Sequence, residues 1–255
     1  MKEELVMEIR GLNKSFGDNH VLRDFEMDLF KGENVVVLGK SGSGKSVLIK
    51  CIIGLLKPDA GSIRVLDQNV LELGHDELDR LRVKVGFLFQ SNALYDSMTV
   101  RENLEFPLRR HWLKEQQDRE EVIQRVMEAL ANVGLEHTVN MMPAELSGGM
   151  RKRIALARML ILQPQIMLYD EPTTGLDPVT SREISELILQ LQKKYNAASV
   201  IISHDMNCIK ITSNRVIMLI DGKAYANESY QQLQSSDDPR IVEFFEPKNH
   251  EYQTH

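Results

Sequence analysis

Eight consecutive residues, Gly39-Lys40-Ser41-Gly42-Ser43-Gly44-Lys45-Ser46, constrain this chain more than any other stretch. They fit the pattern G-x-x-x-x-G-K-[ST]. Four apolar residues (35–38) run into them and a helix-compatible run (47–55) follows, which is the strand–loop–helix context the pattern requires. Glycines at 39, 42 and 44 let the backbone fold around an anion without Cβ clashes, so successive N–H groups and the positive end of the next helix point at phosphate. Lys45 adds a mobile charge for the β/γ-phosphates of a nucleotide, and the Ser46 hydroxyl is a ligand for Mg²⁺. A glycine-serine turn between a strand and a helix is the plainer reading of the same letters.

The 255 residues suffice for one domain with an inserted lobe, and 42% hydrophobic content suits a globular core. With 31 basic against 37 acidic residues the net charge is −6, which argues against a nucleic-acid-binding surface. Uninterrupted apolar runs reach only about five residues, against the roughly 18–20 a membrane-spanning helix needs, and no apolar region of signal-peptide length follows Met1-Lys2-Glu3-Glu4. Cys51 and Cys208 read as small core fillers, which fits a reducing cytosol.

Partial alternation over 6–16 and 21–29, with Phe16-Gly17-Asp18-Asn19 between, predicts an antiparallel β start. Phe16 is either a packing aromatic or a platform for a nucleobase. A short strand is expected at 62–66, a helix at 76–82 and a strand at 85–89 that ends at Gln90, whose amide either is a satisfied strand-end group or touches Mg²⁺ or an attacking water. From about 91 to 163 the chain turns helical, with Asp118 as a cap for an apolar stripe through Val122, Val126 and Leu130. Leu94, Tyr95, Met98, Phe106 and Leu108 in that lobe are read either as core or as a docking surface.

Leu146-Ser147-Gly148-Gly149 opens a further helix and offers a hydroxyl and bare amides, a second anion site. An apolar strand then ends in Asp170 and Glu171. The first fits the Mg²⁺ shell and the second a water attacking the γ-phosphate. An amphipathic helix (179–194) and a buried strand (199–203) precede His204, placed at the edge where a parallel sheet presents ligand-binding residues. A hairpin around Asp221-Gly222 closes the chain before a polar tail, in which a helix starts near Pro239 with Ile241, Val242, Phe244 and Phe245 as a small apolar face.

Together, in this order, these elements resemble the nucleotide-binding subunit of ATP-binding-cassette (ABC) transporters over residues 6–229. The resemblance implies an α/β P-loop NTPase fold with a mixed core sheet, an N-terminal antiparallel β subdomain and an inserted α-helical subdomain at about 91–163. The ATP-binding domain would span 1–228, with 229–255 as a C-terminal tail. It implies ATP and Mg²⁺ as cofactors, the nucleotide held by Phe16, Gly39, Lys40, Ser41, Gly42, Ser43, Gly44, Lys45, Ser46 and Val47. Ser147, Gly148, Gly149 and Asp177 would complete the site of a second copy in a head-to-tail dimer. Catalytic roles fall to Glu171, His204, Lys45 and Gln90, and metal binding to Ser46, Gln90 and Asp170.

Met150 stands where the family usually has Gln. Phe89-Gln90-Ser91-Asn92-Ala93-Leu94-Tyr95, Phe106-Pro107-Leu108-Arg109, Met142-Pro143-Ala144-Glu145 with Met150, and Asp238-Pro239-Arg240-Ile241 are similar to the ATPases of bacterial phospholipid transporters that work with MCE-domain lipid-binding proteins. That narrower resemblance implies an integral membrane permease, an MCE-domain protein and a small cytoplasmic regulatory subunit as partners, and a peripheral position on the cytoplasmic face of the bacterial inner membrane. An ABC ATPase of another importer or exporter is the alternative. A DNA-repair or ribosome-associated relative fits less well, since about a hundred residues, with no room for a long coiled coil, separate Lys45 from Ser147.

Overall fold

The computed structural model describes residues 4–112 and 119–245, so the cap expected at Asp118 lies outside the described residues. Strands β1 (Leu5–Phe16) and β2 (Asn19–Phe30) are followed by β3 (Asn34–Leu38), α1 (Lys45–Ile52), β4 (Ala60–Val65), β5 (Gln68–Asn69), α2 (His75–Lys84) and β6 (Val85–Leu88). The helical lobe holds α3 (Val100–Trp112), α4 (Arg119–Ala131) and the first part of α5 (Gly148–Leu160). Then come β7 (Ile166–Asp170), α6 (Pro178–Tyr195), β8 (Ala198–Ser203), α7 (Met206–Thr212), β9 (Arg215–Ile220), β10 (Lys223–Glu228), α8 (Tyr230–Gln234) and α9 (Pro239–Phe245).

The strands form two sheets. An antiparallel sheet has the order β2-β1-β4-β5, and a six-stranded sheet has the order β10-β9-β3-β8-β7-β6. In the latter the pairs β9/β3, β3/β8, β8/β7 and β7/β6 are parallel and only β10 runs antiparallel. Every residue of β3, β7 and β8 is buried, as a parallel sheet covered on both faces requires. Alternate residues face opposite cores. Val36, Leu38, Met167, Tyr169 and Ile201 join the helical side, while Val35, Val37, Leu168, Val200 and Ile202 join the side that holds α1 and the antiparallel sheet.

The register pairs Leu38 with Ser203, Asp170 with Ile202 and Leu88 with Tyr169. The segments that leave β3, β8, β7 and β6 therefore emerge at one edge of the sheet, where an open α/β sheet binds its ligand. Helix α1 differs from the run expected at 47–55. It starts at Lys45, directly after Gly44, and stops at Ile52, where the Gly54 N–H turns back to the Cys51 carbonyl (3.0 Å).

The five apolar residues of the helical lobe divide between the two readings. Leu108 is 1% exposed and belongs to the core, and Leu94 packs on it. Tyr95 stays 39% exposed, against Phe106 (centroids 4.9 Å) and the Arg158 guanidinium (4.7 Å). The stretch before α3 is pinned by buried Asn103, whose amide donates to the carbonyls of Tyr95, Met98 and Thr99 (3.0–3.1 Å) while its oxygen accepts from the Tyr95 N–H (2.8 Å).

At the C-terminal end, α9 packs on its own chain. Ile241 is buried, Phe245 meets Tyr230 (5.6 Å), and Glu243 reaches Lys40 in the glycine-rich loop (2.9 Å). That ion pair is exposed and is worth at most about 1 kcal/mol, so burial of Ile241 holds the helix. Ile241→Ala is expected to cost about 2–4 kcal/mol of unfolding free energy in urea denaturation; a cost below about 0.5 kcal/mol would mean that α9 is not held by this contact.

Candidate active site

The loop leaving β3 is built for an anion. Gly44 sits at φ 104 as the N-cap of α1 with no side chain bonded over the helix start, so the leading N–H groups and the helix dipole face outward. A Cβ at Gly44 would lie 2.9 Å from the Val21 carbonyl, and one at Gly39 2.8 Å from the Leu219 carbonyl. Lys45 is buried, and its ammonium donates to the Gly39 (2.7 Å) and Lys40 (3.0 Å) carbonyls, 3.9 Å from Glu171 Oε1. Burial lowers its pKa, and the charges of Glu171 and Asp170 oppose that shift.

Ser46 Oγ donates to Asp170 Oδ1 at 3.1 Å, which ties the start of α1 to the end of β7. Burial raises the Asp170 pKa and the Ser46 hydrogen bond lowers it in part. Two hard oxygens facing each other suit Mg²⁺, which takes one or two protein ligands and completes its shell with phosphate and water. Among the described residues no group of three or more His, Cys, Asp or Glu gathers into a cage, so a metal here would draw its remaining ligands from substrate.

Glu171 follows β7 with φ 50. A non-glycine residue in this region stores on the order of 1–3 kcal/mol of strain and is held there by its surroundings. Its N–H donates to the Ile202 carbonyl (2.9 Å), Thr174 Oγ1 donates to its Oε2 (3.3 Å), and His204 Nδ1 lies 2.8 Å from the same oxygen. The buried carboxylate thus lies between the Lys45 ammonium and the exposed imidazole of His204. The loops after β7 and β8 are tied again by Thr173 Oγ1, which donates to Asp205, the N-cap of α7 (3.0 Å).

Phe16, Ser41, Gly42, Gly44, Lys45, Ser46, Val47, Gln90, Glu171 and His204 line one open cavity of about 570 Å³. Phe16 is 51% exposed, not a core aromatic, with Lys14 Nζ 5.4 Å from its ring centroid. Asp170 sits behind the wall, buried. Lys40 and Ser43 line a neighbouring cavity of about 610 Å³ that α9 borders through Glu243 and Phe244. Ser147, Gly148, Gly149 and Asp177 line a third, of about 500 Å³, that shares no residue with the first. Ser147 caps α5 by accepting from the Met150 N–H (3.2 Å). Asp177 spends its carboxylate on α6, accepting from the Val179 and Thr180 N–H groups (3.0 Å each) and the Thr180 hydroxyl.

A family model described as "ABC transporter" matches residues 22–174. The chain belongs to the ABC transporter family, as an ATPase subunit. It is 40% identical over 240 residues to the "Probable ribonucleotide transport ATP-binding protein mkl" of Mycobacterium leprae, covering 94% of this chain and 68% of that protein. It is 36% identical over 245 residues to the "Intermembrane phospholipid transport system ATP-binding protein MlaF" of Haemophilus influenzae, covering 96% of this chain and 91% of that one. Among solved structures it resembles a dimeric ATP-binding cassette in a post-hydrolysis state bound to ADP and Pi. There the TM-score is 0.79 and identity 33%, over 88% of this chain and 98% of that one.

Several members of this ABC ATPase's site carry no motif in the sequence. Thr174 and the Thr173–Asp205 bridge were hidden because hydroxyls in a loop are ordinary; only their closeness to Glu171 and His204 would have signalled them. Lys152 reads as one of several surface charges on α5, yet it is 2% exposed, and its Nζ donates to the Gln90 carbonyl (3.2 Å). Gly44→Ala should lower affinity for a fluorescent ATP analogue by about tenfold or more, since the left-handed backbone and the Val21 contact both resist a methyl group. Circular dichroism should stay unchanged, and affinity within about twofold of the parent would contradict this account of the loop.

Proposed function

We propose that this chain is the ATP-hydrolysing subunit of a transporter that moves phospholipid between the inner and outer membranes together with an MCE-domain lipid-binding protein. The observation that carries the proposal is its match along nearly the full length of the Haemophilus influenzae protein named for intermembrane phospholipid transport, whereas it spans 68% of the mycobacterial one. No described helix is long and apolar enough to cross a membrane. In this reading the chain works through an integral membrane permease, from the cytoplasmic face of the bacterial inner membrane, with a small cytoplasmic regulatory subunit as a further partner and no nucleic acid. Residues 1–228 form the ATP-binding domain and 229–255 a tail.

In the proposed cycle adenine stacks on Phe16, and the phosphates lie along Gly39 to Val47 with Lys45 against the β/γ-phosphates. Ser46, Asp170 and Gln90 would hold Mg²⁺, which neutralises phosphate charge when bound. A second copy approaches head-to-tail, so that its Ser147, Gly148, Gly149 and Asp177 meet the nucleotide. The separation of the two cavities within one chain supports this, because neither offers both halves of a site. Glu171, held by Thr174 and His204, accepts a proton from the water that attacks the γ-phosphate, and His204 and Gln90 orient the reactants. Loss of the γ-phosphate removes the contacts that closed the pair. Glu171→Gln is expected to bind ATP, to cut turnover by about a hundredfold or more, and to run as a dimer on sizing with ATP. Unchanged turnover would remove Glu171 from this role.

The permease would dock on the helical lobe, beside a groove of about 310 Å³ whose walls include Leu55, Phe89, Pro107 and Met159. Phe89 is exposed in its wall, and exposed Tyr95 lies against Arg158, another residue of that wall. Tyr95→Glu should reduce recovery of the permease when this chain is purified from membranes, and full recovery would leave Tyr95 as lobe packing only. The higher identity to a protein named for ribonucleotide transport favours a second reading, in which the same ATPase serves another cargo. Phospholipid and an MCE-domain protein in the purified complex support the first reading; a complex without either supports the second.

A further inference from the structure

We infer that Lys152 is a positioning residue of the ATPase site, holding the Gln90 main chain from the helix that Ser147 caps. The inference rests on the role proposed for Gln90 in the hydrolytic cavity. Lys152 lies in the second turn of α5, and its neighbours Arg151 and Arg153 behave as helix cations usually do. Arg151 folds back on the Leu146 carbonyl, and Arg153 reaches Glu183 at the surface. Lys152 alone of the three turns inward, to 2% exposure, and spends its ammonium on the Gln90 carbonyl at 3.2 Å.

Burying an ammonium costs several kcal/mol when no partner charge lies in contact, and among the described residues Lys152 has no ion pair. An apolar side chain would fill the same volume at lower cost. A second cation of α5 repeats the grip. Arg158 donates to the Ala93 carbonyl, so one helix holds both ends of the segment 90–93. Within it Asn92 and Ala93 both have positive φ (64 and 50), and such backbone persists only where contacts over-determine it. Asn103 fixes the chain immediately beyond. The Gln90 side chain is thus presented to the cavity by a loop whose shape α5 imposes, and displacement of α5 displaces Gln90.

A double-mutant cycle on steady-state ATPase activity tests this, using the transporter complex purified through the full chain, with Lys152→Met, Gln90→Ala and both together. Lys152→Met is expected to lower kcat about tenfold with KM for ATP within about twofold, because it misplaces a group used after binding. The double variant should fall no more than about twofold below the weaker single, since both substitutions remove the same placement. Lys152→Gln keeps an N–H donor without the charge and should recover at least about threefold of the lost kcat; it also serves as the readable variant where Met impairs folding. Leu156→Ala, a buried change on the same helix, should lower the melting temperature while turnover per folded molecule stays within about twofold.

An unchanged kcat in Lys152→Met, or full additivity with Gln90→Ala, overturns the inference. If Gln90→Ala lowers kcat and Lys152→Met does not, Lys152 alone is dismissed. If Gln90→Ala itself leaves kcat unchanged, the proposed role of Gln90 falls and this inference with it.

Discussion

The parallel pairing of β3, β8, β7 and β6 is the constraint on which everything else depends. With Leu38 opposite Ser203, Asp170 opposite Ile202 and Leu88 opposite Tyr169, four chain segments far apart in sequence leave the sheet at one edge. Each delivers a different chemical group there: the glycine-rich loop, the Glu171 carboxylate, the His204 imidazole and the Gln90 amide. A slip of one residue in any of these strands would exchange its two buried faces. Both cores therefore hold the register, and the register holds the site.

Within that edge the charges hold one another. Lys45 is buried and depends on its own loop carbonyls and the field of two carboxylates; Asp170 is buried and depends on the Ser46 hydroxyl; Glu171 lies between a cation and an imidazole in a backbone conformation it would not choose alone. In the proposed cycle a phosphate beside Lys45 would weaken that cation's hold on Glu171, whose carboxylate His204 and Thr174 already engage. Strain and electrostatics are in this sense prepared before the substrate is bound.

Much of this was legible in the sequence, for reasons that differ residue by residue. The loop from Gly39 to Ser46 can be read because backbone shape and charge must coincide in eight consecutive positions, and the strand before it because both faces are buried. The antiparallel start, the helical insertion and the closing hairpin followed from periodicity and turn chemistry. The start of α1 at Lys45 was less visible, since helix ends are set by a glycine's backbone and not by a pattern. Whether Tyr95 and Leu108 are core or surface could not be read from either residue, because apolar and charged residues are interspersed from 94 to 108 and only packing separates the two. Lys152 was hidden for the opposite reason: a lysine between two arginines on a helix looks like solvent-facing charge until the helix is placed against the sheet.

The disjoint cavities have a consequence for heredity. In the head-to-tail pair proposed above, each nucleotide would lie between the Lys45 loop of one chain and the Ser147 loop of the other, which line separate cavities within one chain. A lesion in each loop, carried on the same polypeptide and mixed with an intact one, spoils both nucleotide sites. The same two lesions carried on separate polypeptides fall together in one site and leave the other whole. Two defective alleles of this gene would therefore complement each other in part, while one doubly defective allele would act dominantly over a normal copy.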